Sequence, residues 1–349
     1  MKRRAFAALA AGYLSLPRTA RASGGLDDSD LDAARVSGDS VRLLLAQGVA
    51  ADEGPRRIDA QTFRFRGKRY RGSFALLPGP NDTSYAVVNL VPFEAYLRGV
   101  VGAEIPASWP AAALEAQAIV ARGFARSRRK NMRAYDLVTS EVDQAYGGRD
   151  TEHAATTAAT LRTADILVFY DGAPASVYFM SCCGGHTVDA SSVWGGHAGP
   201  YLQGVADPYC MGAPEYRWQR TLDWDVAVRI LGGRWPLIGE LQNVQVTGAD
   251  AFGRALAITL EGERLSVTIS PAELRAALGP QYMRSSLLRS LEVTAQAPRR
   301  VIIEGDGRGH GVGMCQWGAR QMALEGASAR DILAFYFPGT TLGRLPFVP

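Results

Sequence analysis

The sequence predicts an α+β fold: a mixed core domain with a helix-loop-helix segment that carries a candidate catalytic acid, and an inserted smaller α/β subdomain. Three observations predict it. Short alternating runs between Thr62 and Val91 read as strands. Two apolar, alanine-rich runs flank Glu104 and read as helices joined by a tight connection. A block at 222–299 then brings its own strands and helices before the earlier character returns.

The chain opens with a segment, 1–22, that reads as a secretory signal. Lys2, Arg3 and Arg4 precede a short apolar run, and Ala20-Arg21-Ala22 supplies a small-x-small cleavage site. The apolar run is too short for a stable bilayer-spanning helix. The whole chain has 38 basic and 34 acidic residues, and the signal holds five of the basic ones and no acid, which leaves 33 against 34. That balance lacks the basic footprint of a nucleic-acid binder. The cluster from Arg126 to Arg133 reads as a solvated helix end favoured by the helix dipole. No later stretch reads as transmembrane. Export would place the protein in the periplasm or the extracellular wall, and its four cysteines in a disulfide-permissive compartment.

Residues 23–84 form a β-rich N-terminal segment, with a strand at Val41–Val49 and a hairpin turning at Gly67-Lys68. The core runs from 85 to 221. Tyr85 to Val91 reads as a strand and Phe93 to Val101 as a helix ended by Gly102. Ala103 to Pro106 reads as a loop, and Ala111 to Arg129 as a long helix capped by Ser108. Ala164 to Met180 reads as two strands joined at Asp171-Gly172. The inserted block at 222–299 predicts helices at Trp224–Ile230 and Pro271–Leu278, with three strands between them. The core resumes over 300–349, with a strand at Val301–Glu304, a glycine-rich loop, and helices from Gln316 and Ala329.

Three constellations could carry chemistry. Glu104 is flanked by apolar residues and Pro106, so its carboxylate would lose hydration and hold a proton near neutral pH, as a general acid needs. Arg122 follows on the long helix and either pairs with an acid or binds carboxylate or sugar hydroxyls. In Ser181-Cys182-Cys183-Gly184-Gly185-His186, the residues Cys183 and His186, with the distant Cys210, could hold a structural zinc. A Cys183–Cys210 disulfide is the alternative. The loop from Gly307 to Gly313 allows close backbone approach to a ligand, and His310 could donate to it or exchange a proton.

In order and combination, the chain resembles the SpoIID/LytB family, the sporulation stage II protein D type of peptidoglycan lytic transglycosylase and amidase enhancer. The matching segments are VPFEAYLRGVVGAEIPASWPAAALEAQAIVARGFA, DQAYGG, SCCGGHT with VWGG and PYLQGV, GHGVGMCQWGA and the closing DILAFYFPGT. The resemblance runs from about residue 85 to the end and is least clear through the inserted block. It implies cleavage of the bond between N-acetylmuramic acid and N-acetylglucosamine in glycan strands stripped of stem peptides. Glu104 matches the catalytic glutamate, acting first as acid and then as base. Arg122 and Tyr201 match positions implicated in the groove. Gln117, Tyr146, His310 and Gln316 are further substrate-binding candidates within the matching segments. No cofactor is required for such a reaction, although some relatives bind zinc near the Gly-Gly motif. Met180 stands where many relatives have histidine, Cys315 where serine is common, and Trp317 where tyrosine is.

The expected partners are glycan strands and, by the same resemblance, a cell-wall amidase; no nucleic acid is expected. Two other readings compete. One is a non-catalytic glycan binder that activates an amidase. The other is a cysteine peptidase pairing Cys183 with His310 or His186, which an oxidising compartment disfavours.

Overall fold

The computed structural model describes residues 40–79, 83–129, 134–139 and 143–344. The expected signal at 1–22 lies outside them, as do residues 23–39 and the 130–133 end of the basic cluster.

The chain enters through β1 (Ser40–Ala50), β2 (Arg56–Asp59), β3 (Thr62–Phe65), β4 (Lys68–Tyr70), β5 (Ser73–Pro78) and β6 (Ser84–Pro92). It continues into α1 (Phe93–Glu104), α2 (Ala111–Arg128) and a short β7 (Leu137–Val138). One sheet orders these strands β5-β6-β1-β7, and β2-β3-β4 form a separate small sheet. Val41 and Leu43 of β1 alternate inward, as period-2 burial requires, and Ala46 and Val49 also turn inward after two register shifts against β6. They meet Phe93, Tyr96, Leu97 and Val100 of α1 in one core. Each of these helix side chains is at most 1% exposed, and a buried side chain of this size contributes about 1.5–3 kcal/mol.

α2 is long because nothing in it breaks a helix. Half of its twelve buried residues are alanine or glycine, among them Ala116, Ala118, Ala121 and Ala125, so neighbouring elements approach closely there. Among these alanines sits Arg122, with no exposed surface. Its guanidinium grips Glu94 of the first turn of α1 at 2.7 and 2.9 Å. It also donates to the carbonyls of Thr160 and Ile166. The ion pair fixes the angle between the two helices.

The core then adds α3 (Ala154–Arg162), β8 (Ile166–Tyr170), β9 (Ala173–Pro174), β10 (Phe179–Met180) and α4 (Ala190–Trp194). Next come β11 (Arg217–Asp223), α5 (Trp224–Ala227), β12 (Leu241–Ala249), β13 (Ala255–Gly262), β14 (Ser266–Ile269), α6 (Pro271–Leu278), β15 (Leu288–Val293) and β16 (Arg300–Asp306). These strands make two sheets, β11-β16-β15 and β12-β13-β14. They share a hydrophobic cluster drawn entirely from residues 218 to 303. The chain closes with β17 (Met314–Cys315), α7 (Gln316–Leu324), α8 (Ala329–Tyr336) and β18 (Thr341–Arg344). β17 pairs parallel to β10, and β18 pairs antiparallel to β8. The architecture is therefore α+β with several small sheets. No helix among the described residues is long and apolar enough to cross a membrane.

Four local expectations need correction. Gly102 does not end α1, which runs on to Glu104. A Cβ at Gly102 would fall on the Thr151 carbonyl oxygen, so this glycine serves close packing rather than termination. Ser108 does not cap α2; Pro110 precedes the helix without a side-chain cap. The β3–β4 hairpin turns at Arg66-Gly67, both with positive φ, as a two-residue primed turn demands. Met180 leaves the hairpin of β8 and β9 and joins β10 instead. Elements with weak periodicity, notably α3, β11, β15 and β18, went unread.

Truncating Arg122→Ala should cost about 3–5 kcal/mol, because it strands Glu94 beside a buried void. The double variant Glu94→Leu/Arg122→Met should lose less. Urea denaturation monitored by circular dichroism checks both, and equal losses would count against the ion pair as the cause.

Candidate active site

Glu104 is the last residue of α1, and Ile105 adopts extended backbone after it. The carboxylate therefore sits at the negative end of the helix dipole, where ionisation is disfavoured. Ile105 packs with Val101, Leu114 and Ala118, and Trp109 lies against this cluster. The connection to α2 is thereby fixed on its apolar side. Trp109 also meets the Trp317 ring edge-on at 5.3 Å, which ties the connection to α7.

A backbone strap from Gln144 to Thr151 holds the acid from the other side. The Ala145 N–H donates to Glu104 Oε1 at 2.6 Å. Two glycines of α1 let the strap lie this close: a Cβ on Gly99 would come within 2.7 Å of the Gly148 carbonyl and the Tyr146 ring, and Gly102 faces Thr151. Gln144 anchors the strap by accepting from Tyr96 Oη at 2.8 Å and donating to the Ala121 carbonyl at 3.2 Å. Gln316, the first residue of α7, lines the groove with Glu104, and its side-chain amide favours the ionised form of that carboxylate. Its amide also donates to Gln117 Oε1 at 3.3 Å. Burial raises the Glu104 pKa from its ordinary 4.5 to about 7, against the opposing pull of the Ala145 hydrogen bond and the Gln316 amide. The acid is poised to hold a proton near neutral pH and to lose it readily.

Glu104 opens into a groove of about 1030 Å³. Ala103, Glu104, Asp143 and Ala145 line it, together with residues of the 218–303 unit that include Arg254, Ser270 and Arg275. Asp143 is the only other groove-lining carboxylate among the described residues, and it accepts from the Val138 N–H at 2.8 Å. It begins the DQAYGG segment. Trp194, half exposed at the rim, packs against Tyr178 at 4.7 Å and near His310 at 5.1 Å. Its VWGG context signalled it, although no role was assigned.

Of the expected substrate-binding residues, the structure brings Gln316 and His310 to the groove with Glu104. His310 is held rather than free. Its Nε2 bonds the Phe179 carbonyl at 2.9 Å and its Nδ1 accepts from Val312 N–H at 3.1 Å, so both ring nitrogens are occupied. Burial pushes its pKa down to about 4, and it stays neutral. Gln117 reaches the site only through Gln316. Arg122 is buried against Glu94 and cannot touch a substrate, because its guanidinium is consumed inside the protein. Tyr146 is a wedge under α1, its hydroxyl on Asn89 Oδ1. Tyr201 lines a separate cavity of about 270 Å³ that shares Tyr178 and Trp194 with the groove.

The expected Cys183–His186–Cys210 set is not assembled either. His186 turns away, stacked on Phe252 at 3.7 Å with its Nδ1 against the Thr187 carbonyl. Cys183 and Cys210 instead meet Cys315 and Asp207. All four cysteines are buried thiols. Cys183 is 1% exposed, which removes it as a peptidase nucleophile.

Comparison with known proteins gives the chain a family. A family model described as SpoIID, Stage II sporulation protein, matches residues 81–170, the stretch that holds β6, α1, the strap and α2. A second, a domain of unknown function (DUF8618), matches residues 211–313. An uncharacterised protein of Brachyspira hyodysenteriae is 34% identical over 80% of this chain and 74% of its own length. Stage II sporulation protein D of Bacillus amyloliquefaciens is 28% identical over 85% of this chain and 88% of its own. The chain belongs to the SpoIID/LytB family. The amidase enhancer of Bacillus subtilis, of the same family, is 26% identical over 79% of this chain but only 44% of its own length. Within this SpoIID/LytB frame, Glu104 falls in the part matched by the family model, and Arg254 and Arg275 fall in the second match.

The raised pKa gives an expectation independent of activity. Folding takes up a proton at Glu104 between pH 4.5 and 7, so its contribution to stability is fullest below pH 4.5 and is lost as pH rises through 7. Glu104→Gln should therefore match wild type below pH 4.5 and exceed it above pH 7, by up to about 3 kcal/mol before solvent screening. Denaturation midpoints of both proteins across pH 4 to 8.5 check this; parallel curves would mean an ordinary exposed carboxylate.

Proposed function

We propose that this chain is an exported peptidoglycan lytic transglycosylase that cleaves bonds between N-acetylmuramic acid and N-acetylglucosamine in denuded glycan strands. The observation that carries the reading is Glu104: a partly buried carboxyl group with a pKa raised to about 7, opening into a long groove. The groove also suits the substrate. Arg128, Arg254, Arg275 and Arg308 line it against two acids, and a strand without stem peptides presents free lactyl carboxylates.

Protonated Glu104 donates to the glycosidic oxygen as the bond to the muramic acid anomeric carbon breaks. Positive charge develops on that carbon and its ring oxygen. Glu104, now ionised and stabilised by Ala145 N–H and Gln316, takes the proton from the same sugar's 6-hydroxyl. The freed oxygen bonds the anomeric carbon and closes a 1,6-anhydro ring. No water is consumed and Glu104 ends protonated again. One carboxyl group thus serves twice, unlike the paired carboxylates of ordinary glycosidases.

A second reading is a glycan-binding activator of a cell-wall amidase, favoured by the relative named amidase enhancer. Incubation of the purified protein alone with denuded glycan separates the two. The transglycosylase reading expects 1,6-anhydro ends by mass spectrometry. It also expects Glu104→Gln to lose about 100- to 10,000-fold in turnover while still binding glycan. Full activity in that variant, or no product from wild type, would sink it. Asp143→Asn should keep most turnover; a loss equal to that of Glu104→Gln, with ordinary reducing ends, would point to a paired-carboxylate hydrolase.

A further inference from the structure

We infer that Cys183, Cys210, Cys315 and Asp207 form a structural site for a zinc ion, with a donor set that excludes His186. The inference stands apart from the role of Glu104. Four donor atoms from three distant segments lie within 4.8 Å of one another. Cys183 Sγ is 3.6 Å from Cys210 Sγ and 3.1 Å from Asp207 Oδ2. A tetrahedral zinc with sulfur ligands at about 2.3 Å places neighbouring sulfurs about 3.8 Å apart, close to the separation found. All four side chains belong to residues no more than 1% exposed, so the site is closed, as structural rather than catalytic zinc sites are. Three sulfurs and a carboxylate oxygen around a compact point select a borderline-soft, tetrahedral ion over calcium or magnesium.

The surroundings fit bound thiolates. Cys315 Sγ accepts from the backbone N–H of Cys183 at 3.3 Å and of Gly318 at 3.4 Å, and it stands at the N-terminus of α7. Asp207 is oriented through Oδ1 by the Tyr209 N–H and through Oδ2 by the Tyr336 hydroxyl, both at 2.9 Å. Such outer partners fix the ligands of metal sites and offset their charge. A disulfide between Cys183 and Cys210 would use two of these donors and leave Asp207 buried without a cation. Cys182 interacts with Cys210 and Cys315 and is an alternative fourth ligand. His186 is turned to Phe252, and Met180 offers no imidazole.

The site would join the SCCGG loop, the 207–210 turn and the start of α7, behind the groove that carries Gln316. The full mature chain, purified from the exported fraction without chelator, should carry about one zinc per chain and the mass of a fully reduced polypeptide. Replacement by Co²⁺ should give thiolate charge-transfer and tetrahedral ligand-field absorption. Cys210→Ser and Asp207→Asn should lose most of the metal, whereas His186→Ala and Cys182→Ser should keep about one equivalent. A metal-free chain lighter by the hydrogens of one or two disulfides would overturn the site. Loss of zinc in His186→Ala, or loss in Cys182→Ser with retention in Asp207→Asn, would overturn this donor set. The wild-type and His186→Ala measurements hold even if a cysteine variant fails to fold.

Discussion

The hydrogen bond from the Ala145 amide to Glu104 is the contact on which the site turns, and it exists only because the strap can lie against α1. Gly99 and Gly102 leave no side chain between helix and strap. Thr151 closes the far end by donating through Oγ1 to the Gly99 carbonyl at 2.7 Å. Gln144 closes the near end through Tyr96 and Ala121. The acid is therefore placed by backbone, on rigid elements, rather than by a loop of its own. Arg122 supports this at one remove. By fixing α1 to α2 it sets where the end of α1, and so Glu104, projects.

The same arrangement sets a balance in the acid's electrostatics. Partial burial and the helix C-terminus disfavour the carboxylate, while Ala145 and Gln316 favour it. The first set raises its pKa and the second lowers it. Their opposition places it near neutrality, where one group can both give and take a proton. His310 is the contrast. It lies in the same groove, but burial and two backbone partners hold it neutral, so it shapes the wall and does not titrate there.

Much of the fold was legible where one periodicity dominates. The bounds of Pro271–Leu278 and the starts of the helices at Gln316 and Ala329 came out to the residue, and β1 and β6 to within a residue or two. Of the residues expected at the candidate site, Glu104, Gln316 and, as a wall residue, His310 line the groove. Arg122 and Tyr146 were misread because a polar side chain in a strong motif carries no mark of whether it faces a groove or a core. Both are needed, but for packing. Gly102 was misread for a related reason: a glycine that ends a helix and one that admits a neighbouring strap look alike until the partner, here Thr151, is known. The thiol cluster was half legible. Cys183 and Cys210 lie together as expected, their sulfurs 3.6 Å apart, but Cys315, 105 residues beyond Cys210, and Asp207 join them only through tertiary contact.

The 218–303 unit explains why a motif as glycine-rich as Gly307–Gly313 is required. Gly311 has no side chain because the Arg254 guanidinium occupies that space. From there Arg254 donates to the His310 carbonyl at 2.9 Å and to Ser286 Oγ at 3.0 Å. Gly309 binds the Arg284 carbonyl through its own N–H at 3.1 Å. On the other side of the loop, Cys182 and Arg308 exchange backbone hydrogen bonds at 3.1 and 2.8 Å. The loop is thus clamped between the cysteine-bearing segment and the second unit, and it leads directly into Gln316. A groove lined by Glu104 and by arginines of the second unit needs the two held in register. The glycines of the loop make this possible at two points: a Cβ on Gly309 would meet Met180, and one on Gly311 would meet the Arg254 guanidinium.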